Sequence, residues 1–145
     1  MPTWLGTAYN TGYSGYPAHM ATEDYAIWQK IKDKLLKDAQ MMYFDVGLGG
    51  AKNIPSEYEP SFIYMWERLN QKRIDVLTDN GTRWNIIELR PRATSTAIGR
   101  LLQYRELWKL EPIDNRAIFL TLGTDIPDPD VISLAASLKI EIVTP

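Results

Sequence analysis

The residues best suited to chemistry in this sequence are Asp75, Glu88 and Arg90, which bracket the turn signal Asp79-Asn80-Gly81-Thr82. Asn-Gly between two strand-like runs, here RIDVLT and RWNIIELR, is the strongest short-range sign of a tight β-hairpin. With Asn80 and Gly81 as the central turn residues, Asp75 falls opposite Ile86 and Arg73 opposite Glu88. Strand side chains alternate between faces with period two, so Arg73, Asp75, Ile86, Glu88 and Arg90 share one face. Asp75 and Glu88 are then diagonal neighbours, roughly 7 Å apart at Cβ or less. Two carboxylates at that separation can hold one divalent cation between them.

The surrounding sequence supplies elements to position the hairpin. Thr22 followed by Glu23 and Asp24 reads as a helix start, with a capping hydroxyl and acids at the positive end of the helix dipole. Ile27, Trp28, Ile31 and Leu35 continue it at helical spacing over about 22–39, leaving Lys30, Lys32, Lys34 and Lys37 as a solvated face. MMYFDVGL predicts a strand that stops at Gly49-Gly50, followed by a loop over 51–60 with Pro55 and Pro60. The aromatic run FIYMWERL, 62–69, predicts another strand. Pro91 is expected to end the second hairpin strand. Thr94, Ser95 or Thr96 then caps a helix to about Leu110, followed by a buried strand AIFLTLG, a turn TDIPDPD, a short helix over about 129–138 and a last strand IEIVT. Trp66, Trp84 and Trp108 are expected in the core. This order predicts a mixed-sheet α/β domain over 22–145 with helices on both faces.

Residues 1–21 show neither helical nor strand period, yet carry Trp4, Tyr9, Tyr13 and Tyr16. Disordered tails are usually poor in aromatics. The arm is therefore expected to lie on its own domain or on a neighbouring subunit, where these four rings would be interface anchors.

Composition narrows the function classes. The chain has 145 residues, a net charge of -2, 45% hydrophobic residues and no cysteine. Bulk charge gives no argument for nucleic-acid binding, so any such surface is a local patch. Thiol catalysis and thiolate metal sites are excluded, and with His19 as the only histidine a histidine-clustered metal site is excluded too. No stretch approaches the roughly 18 apolar residues of a membrane span, and the N-terminus has no signal-peptide pattern. The expectation is a complete cytoplasmic chain without a membrane partner.

Ile74-Asp75, a hairpin, Ile87-Glu88-Leu89-Arg90 and a following helix with Arg100 and Tyr104 together resemble the PD-(D/E)xK, or restriction-endonuclease-like, nuclease superfamily over about residues 22–123. The resemblance implies a core of αβββαβ order, here with an extra terminal helix and strand. It implies Mg²⁺ bound by Asp75 and Glu88 with support from Glu23, and a catalytic set of Asp75, Glu88, Arg90, Arg100 and Tyr104. Two departures stand out: Arg90 takes the place of the usual lysine, and Arg100 that of a glutamine. Arginine stays protonated, cannot act as a base and pairs bidentately with carboxylates. Arg73, Arg90 and Arg100 could therefore neutralise both acids without a metal.

The segments GYPAHMATEDYAIW and IIELRP…IGRLLQYRELW also resemble small proteins encoded among bacteriophage structural genes. The favoured expectation is a degenerate nuclease-fold component of a virion, a head-to-tail adaptor, connector or head-completion protein. It would have no cofactor, would form homo-oligomers and would contact other virion proteins, in the virion or the host cytoplasm. The alternative is an active Mg²⁺-dependent endonuclease or DNA-end-processing enzyme. A third reading is DNA binding without cleavage through Arg90, Arg92 and Arg100.

Overall fold

The computed structural model describes residues 3–50 and 57–145. Its centre is a six-stranded mixed sheet in the order β1-β2-β3-β4-β5-β6. The chain runs β1 (Tyr9–Asn10), α1 (Thr22–Leu35), β2 (Met41–Leu48), α2 (Pro60–Asn70), β3 (Lys72–Asp79), β4 (Arg83–Ala93), α3 (Ser95–Leu110), β5 (Ala117–Pro127), α4 (Pro129–Ser137) and β6 (Ile140–Val143). β1 to β4 pair antiparallel, and β4, β5 and β6 pair parallel through the crossover helices α3 and α4. This is the mixed α/β architecture that the restriction-endonuclease-like resemblance implies.

Each face of the sheet buries an apolar layer. Ile27, Trp28 and Ile31 of α1 pack on Met42, Phe44, Val76, Ile87 and Leu89. Ile98, Leu101, Tyr104 and Trp108 of α3 pack with Val46, Leu48, Ile74, Leu77, Trp84 and Ile86 on the other face. Phe44 and Val46 therefore lie on opposite faces although they are two residues apart. The switch falls at Asp45, whose φ of 56° interrupts the pleat of β2.

The hairpin forms with a different turn. Asn80 N–H donates to the Arg83 carbonyl, so Gly81 and Thr82 are the central residues, and Gly81 takes the positive φ of 91° required of the first position. The Asn80 side chain accepts from Thr82 N–H at 3.1 Å and Arg83 N–H at 2.7 Å, which fixes the turn from within. Leu77 consequently pairs with Ile86, a slip of two residues from the expected register. An even slip by itself exchanges no faces, although the alternation of β3 breaks at Asp75, with Ile74 in the α3-side layer and Val76 in the α1-side layer.

Six further expectations need correction. FIYMWERL is helix α2: Pro60 sits in its first turn, and Phe62, Met65, Trp66 and Leu69 recur at helical spacing, a signal stronger than their β propensity. Trp66 is accordingly 38% exposed rather than in the core, whereas Trp84 and Trp108 are buried. Pro91 does not end β4, because the strand skips it and resumes its pairing with β5 at Arg92↔Ile126. The first part of TDIPDPD extends β5 to Pro127 instead of turning. At α1 the N-cap is Ala21, with no side-chain cap from Thr22, and the helix ends at Leu35 rather than 39. The expected loop around Pro55 lies outside the described residues.

The aromatic arm lies against its own sheet. Trp4 exchanges backbone hydrogen bonds with Gly47, and the Arg68 guanidinium stacks 3.4 Å from its ring centroid. Tyr9 and Tyr13 pack on each other and on Phe44. Tyr16 packs on Tyr25 and stays 49% exposed.

Candidate functional site

The expected acids meet where β3 parts from β4. Their ladder runs from Asp79↔Trp84 to Val76↔Ile87, and the same register brings Asp75 across from Glu88. Beyond that point a side chain takes over from the backbone: Leu89 N–H donates to Asp75 Oδ2 at 2.8 Å.

Glu88 is 1% exposed, and both of its oxygens are engaged. Arg90 donates to Oε2 from Nε at 3.0 Å and from Nη2 at 2.8 Å. Tyr104 Oη stands 3.2 Å from Oε1 and 2.8 Å from the Arg73 carbonyl, so its single proton serves one of them at a time. Arg100 lies close enough outside for Tyr104, and then the Glu88 and Asp75 charges, to raise its pKa. The Asp75 and Glu88 carboxyls are close enough that the Glu88 charge, after burial, raises the pKa of Asp75. Arg90, Arg100 and Tyr104 therefore gather on the acid pair as the sequence predicts.

The electrostatics follow from burial. Burial and then the Glu88 charge push Asp75 up to about 7. Burial also raises Glu88, while Arg90 pulls it back. Burial and then the Glu88 charge raise Tyr104, which keeps its proton. The burial penalty thus exceeds the help that one arginine and one backbone amide give this pair.

Two expected participants stand elsewhere. Arg73 does not reach Glu88; it donates to Asp45 Oδ2 at 2.8 Å and to the Arg68 carbonyl at 2.7 Å. Glu23 is exposed, and the α1 acid that senses Asp75 is Asp24, pushed up to about 6 by burial and then by the Asp75 charge. Reading the sequence also missed Asp45 and Arg68. Asp45 had a signal, as the one charge within the apolar run MMYFDVGL. Arg68 was hidden by the strand assignment of its segment.

Whether this arrangement suits Mg²⁺ turns on free oxygens, since the ion demands near-ideal octahedral oxygen coordination. Glu88 Oε2 is taken by Arg90, and Oε1 lies 3.2 Å from the Tyr104 hydroxyl, whose proton the Arg73 carbonyl also draws. Among the described residues no three His, Asp or Glu side chains are grouped to hold a metal ion. The residues as arranged do not fit the ion that the resemblance implies.

No protein-family model matches the chain, and no curated protein matches it significantly. Among solved structures it is similar to the crystal structure of a repair endonuclease from Pyrococcus abyssi, at 14% sequence identity and a TM-score of 0.49. The alignment covers 92% of this chain and 49% of that one, so the chain spans about half the length of that protein.

Proposed function

We propose that this chain is a nuclease-fold assembly component that does not hydrolyse DNA. The observation that carries the reading is the closed acid pair, in which the buried Glu88 has one oxygen gripped by Arg90 and the other beside Tyr104. A buried carboxylate satisfied in this way is an internal ion cluster, and opening it for a metal would leave Arg90 without its partner. Helix α2 offers a surface for assembly. It buries none of its own side chains, and Phe62, Tyr64, Met65, Trp66 and Leu69 are all exposed, a cluster of the kind that marks protein contact sites. A place in a bacteriophage virion, as head-to-tail adaptor, connector or head-completion protein, rests on the sequence resemblance of the arm and α3 segments.

Incubation of the purified protein with plasmid and branched DNA in Mg²⁺ or Mn²⁺ tests the first part. No cleavage is expected; cleavage abolished by Asp75→Ala and by Glu88→Ala would overturn the reading. Light scattering tests the second: Met65→Asp with Trp66→Asp should disperse an oligomer that the parent chain forms, and a parent chain that is monomeric would remove self-assembly. An active Mg²⁺-dependent endonuclease is the second reading. It is favoured by Asp24, an α1 carboxyl close enough to Asp75 for the Asp75 charge, after burial, to raise the pKa of Asp24.

A further inference from the structure

A cleft of about 310 Å³, whose walls include neither Asp75 nor Glu88, opens between the C-terminal half of α3 and the segment that returns the chain to β5. Arg105, Trp108 and Lys109 come to it from α3, at the spacing that puts residues on one helix face. Pro112, Asp114 and Arg116 come from the returning segment, and Ile118 from β5. The walls are well anchored. Trp108 is buried against Trp84, with ring centroids 5.5 Å apart. Trp84 Nε1 donates to Asp114 Oδ1 at 3.0 Å, and the Arg116 guanidinium lies 4.3 Å from the Trp84 ring centroid, so the returning segment is pinned to the core.

The charged groups on this cleft differ in what they already hold. Asp114 accepts from the backbone N–H of Arg116 at 3.0 Å and from its Nε and Nη2 at 2.9 and 2.8 Å, and Arg116 also pairs with Asp79. Lys109 pairs with Glu106 at 3.4 Å across exposed helix surface. Arg105 stands apart. Its Nε is closed to water and has no hydrogen-bond partner, and its guanidinium makes no ion pair among the described residues. Buried donors of this kind are ordinarily satisfied, so an orphan points to a bond made with something outside the chain.

Charge and surface then select the ligand. One cation without an acidic partner matches a singly charged anion, whereas a doubly charged one would also meet the Asp114 carboxylate that lines the same space. Trp108, Pro112 and Ile118 offer apolar surface to the rest of the molecule. A guanidinium grips a carboxylate with two parallel hydrogen bonds. Turning the Arg105 guanidinium about its last torsions would present Nε–H and one Nη–H together and occupy the orphan. The volume is that of a small-ligand site.

We infer that this cleft binds a monocarboxylate with an apolar body, the carboxylate held side-on by Arg105 and the body lying against Trp108, Pro112 and Ile118. A free organic acid and the C-terminal residue of a peptide carry this chemistry alike, and two probes separate these sources.

Phenylacetate, and separately an acetylated tripeptide ending in a phenylalanine carboxylate, are titrated into the isotope-labelled whole chain and followed by NMR. Saturable shifts centred on Arg105, Trp108 and Asn115 are expected with at least one of them, together with a shift of the Arg105 Nε–H signal. Tighter binding of phenylacetate assigns the cleft to a free acid, and tighter binding of the tripeptide assigns it to a peptide terminus. Arg105→Gln should weaken binding about tenfold, the equivalent of one charged hydrogen bond, with the fold of each variant checked by its circular dichroism melt. Lys37→Gln, which removes a charge outside the cleft, should have no such effect. Phenylacetamide keeps the body without the charge and should bind more weakly than the better carboxylate. The inference is overturned by an absence of saturable shifts with both carboxylates, by phenylacetamide or inorganic phosphate binding as tightly as the better of them, or by undiminished binding in Arg105→Gln. The acid pair takes no part in these measurements, so their failure leaves the assembly reading untouched.

Discussion

The two ends of the β3–β4 hairpin carry nearly the same chemistry and treat it in opposite ways. At the turn end, Arg116 pairs with Asp79 and with Asp114, whose Oδ1 also accepts from Trp84 Nε1 at 3.0 Å. At the open end, Arg90 pairs with Glu88 beside Asp75, and Tyr104 supplies the aromatic donor. Asp114 is held down to about 2, chiefly by its hydrogen bond from Arg116, whereas Asp75 is pushed up to about 7 by burial and then Glu88. The residue types do not explain this difference; their exposure does. Asp114 is 37% exposed in its side chain and Glu88 only 2%. Near water an arginine lowers an acid's pKa at little desolvation cost, while in the interior one arginine cannot offset the burial of two acids. The turn end behaves as an ordinary surface ion cluster. The open end has the perturbed titration that marks functional sites, present or past.

Breaking the open-end pair should have the largest effect. Arg90→Ala leaves Glu88 buried and unpaired, and equilibrium denaturation should report a loss of about 3–5 kcal/mol. The matching change at the turn end, Arg116→Ala, is expected to cost about 1 kcal/mol because both partners keep more contact with water than Glu88 does. Equal losses would show that burial does not separate the two clusters.

The pH dependence sharpens the contrast through its sign. Asp75 titrates near 3.8 when unfolded and near 7 when folded, so the folded state holds the extra proton between those values. Its contribution to stability is fully present below about pH 4 and is lost as pH rises through 7. Asp114, with its folded value near 2, acts in the opposite sense: its contribution is present above about pH 4 and lost as pH falls toward 2. Thermal melts between pH 5 and 8 should therefore show stability falling as pH rises, by about 1–3 kcal/mol, with the slope flattened in Asp75→Asn. Part of the slope should remain in Asp75→Asn, because burial also raises Asp24 and Glu88; a slope unchanged by the substitution would remove Asp75 as its source.

The smallest effect expected is at the turn. Gly81→Ala puts a side chain on a residue with φ of 91° and should cost about 1 kcal/mol, with hydrogen exchange accelerating first at Asn80 and Arg83. An unchanged melting temperature would mean that Asn80 alone holds the turn.

Much of the site was legible in the sequence because strand chemistry repeats every two residues. The turn was assigned one residue too early, yet Asp75, Glu88 and Arg90 still came together, since an even register slip leaves the faces unchanged. Helical positions were less forgiving. Successive helix residues point roughly 100° apart, so supporting the pair from Glu23 and supporting it from Asp24 are different geometries. In α2 the aromatic content concealed the spacing of Phe62, Met65, Trp66 and Leu69. Strand preference is a matter of fitting a half-buried pleated surface, and no such surface covers α2.

The sequence by itself determined the hairpin, the face its acids share, the helices on either side of it and the arginines that stand where a nuclease would carry lysine and glutamine. These depend on periodicity and side-chain chemistry, which are local. Only the tertiary structure decided that Arg73 turns to Asp45, that both Glu88 oxygens are engaged and that Arg68 packs over Gly47. Apart from the Arg90 contact to Glu88, each of those joins segments well separated in the chain. Which arginine meets which acid is set by the divergence of β3 from β4, by the pleat broken at Asp45 and by how much water each pair retains.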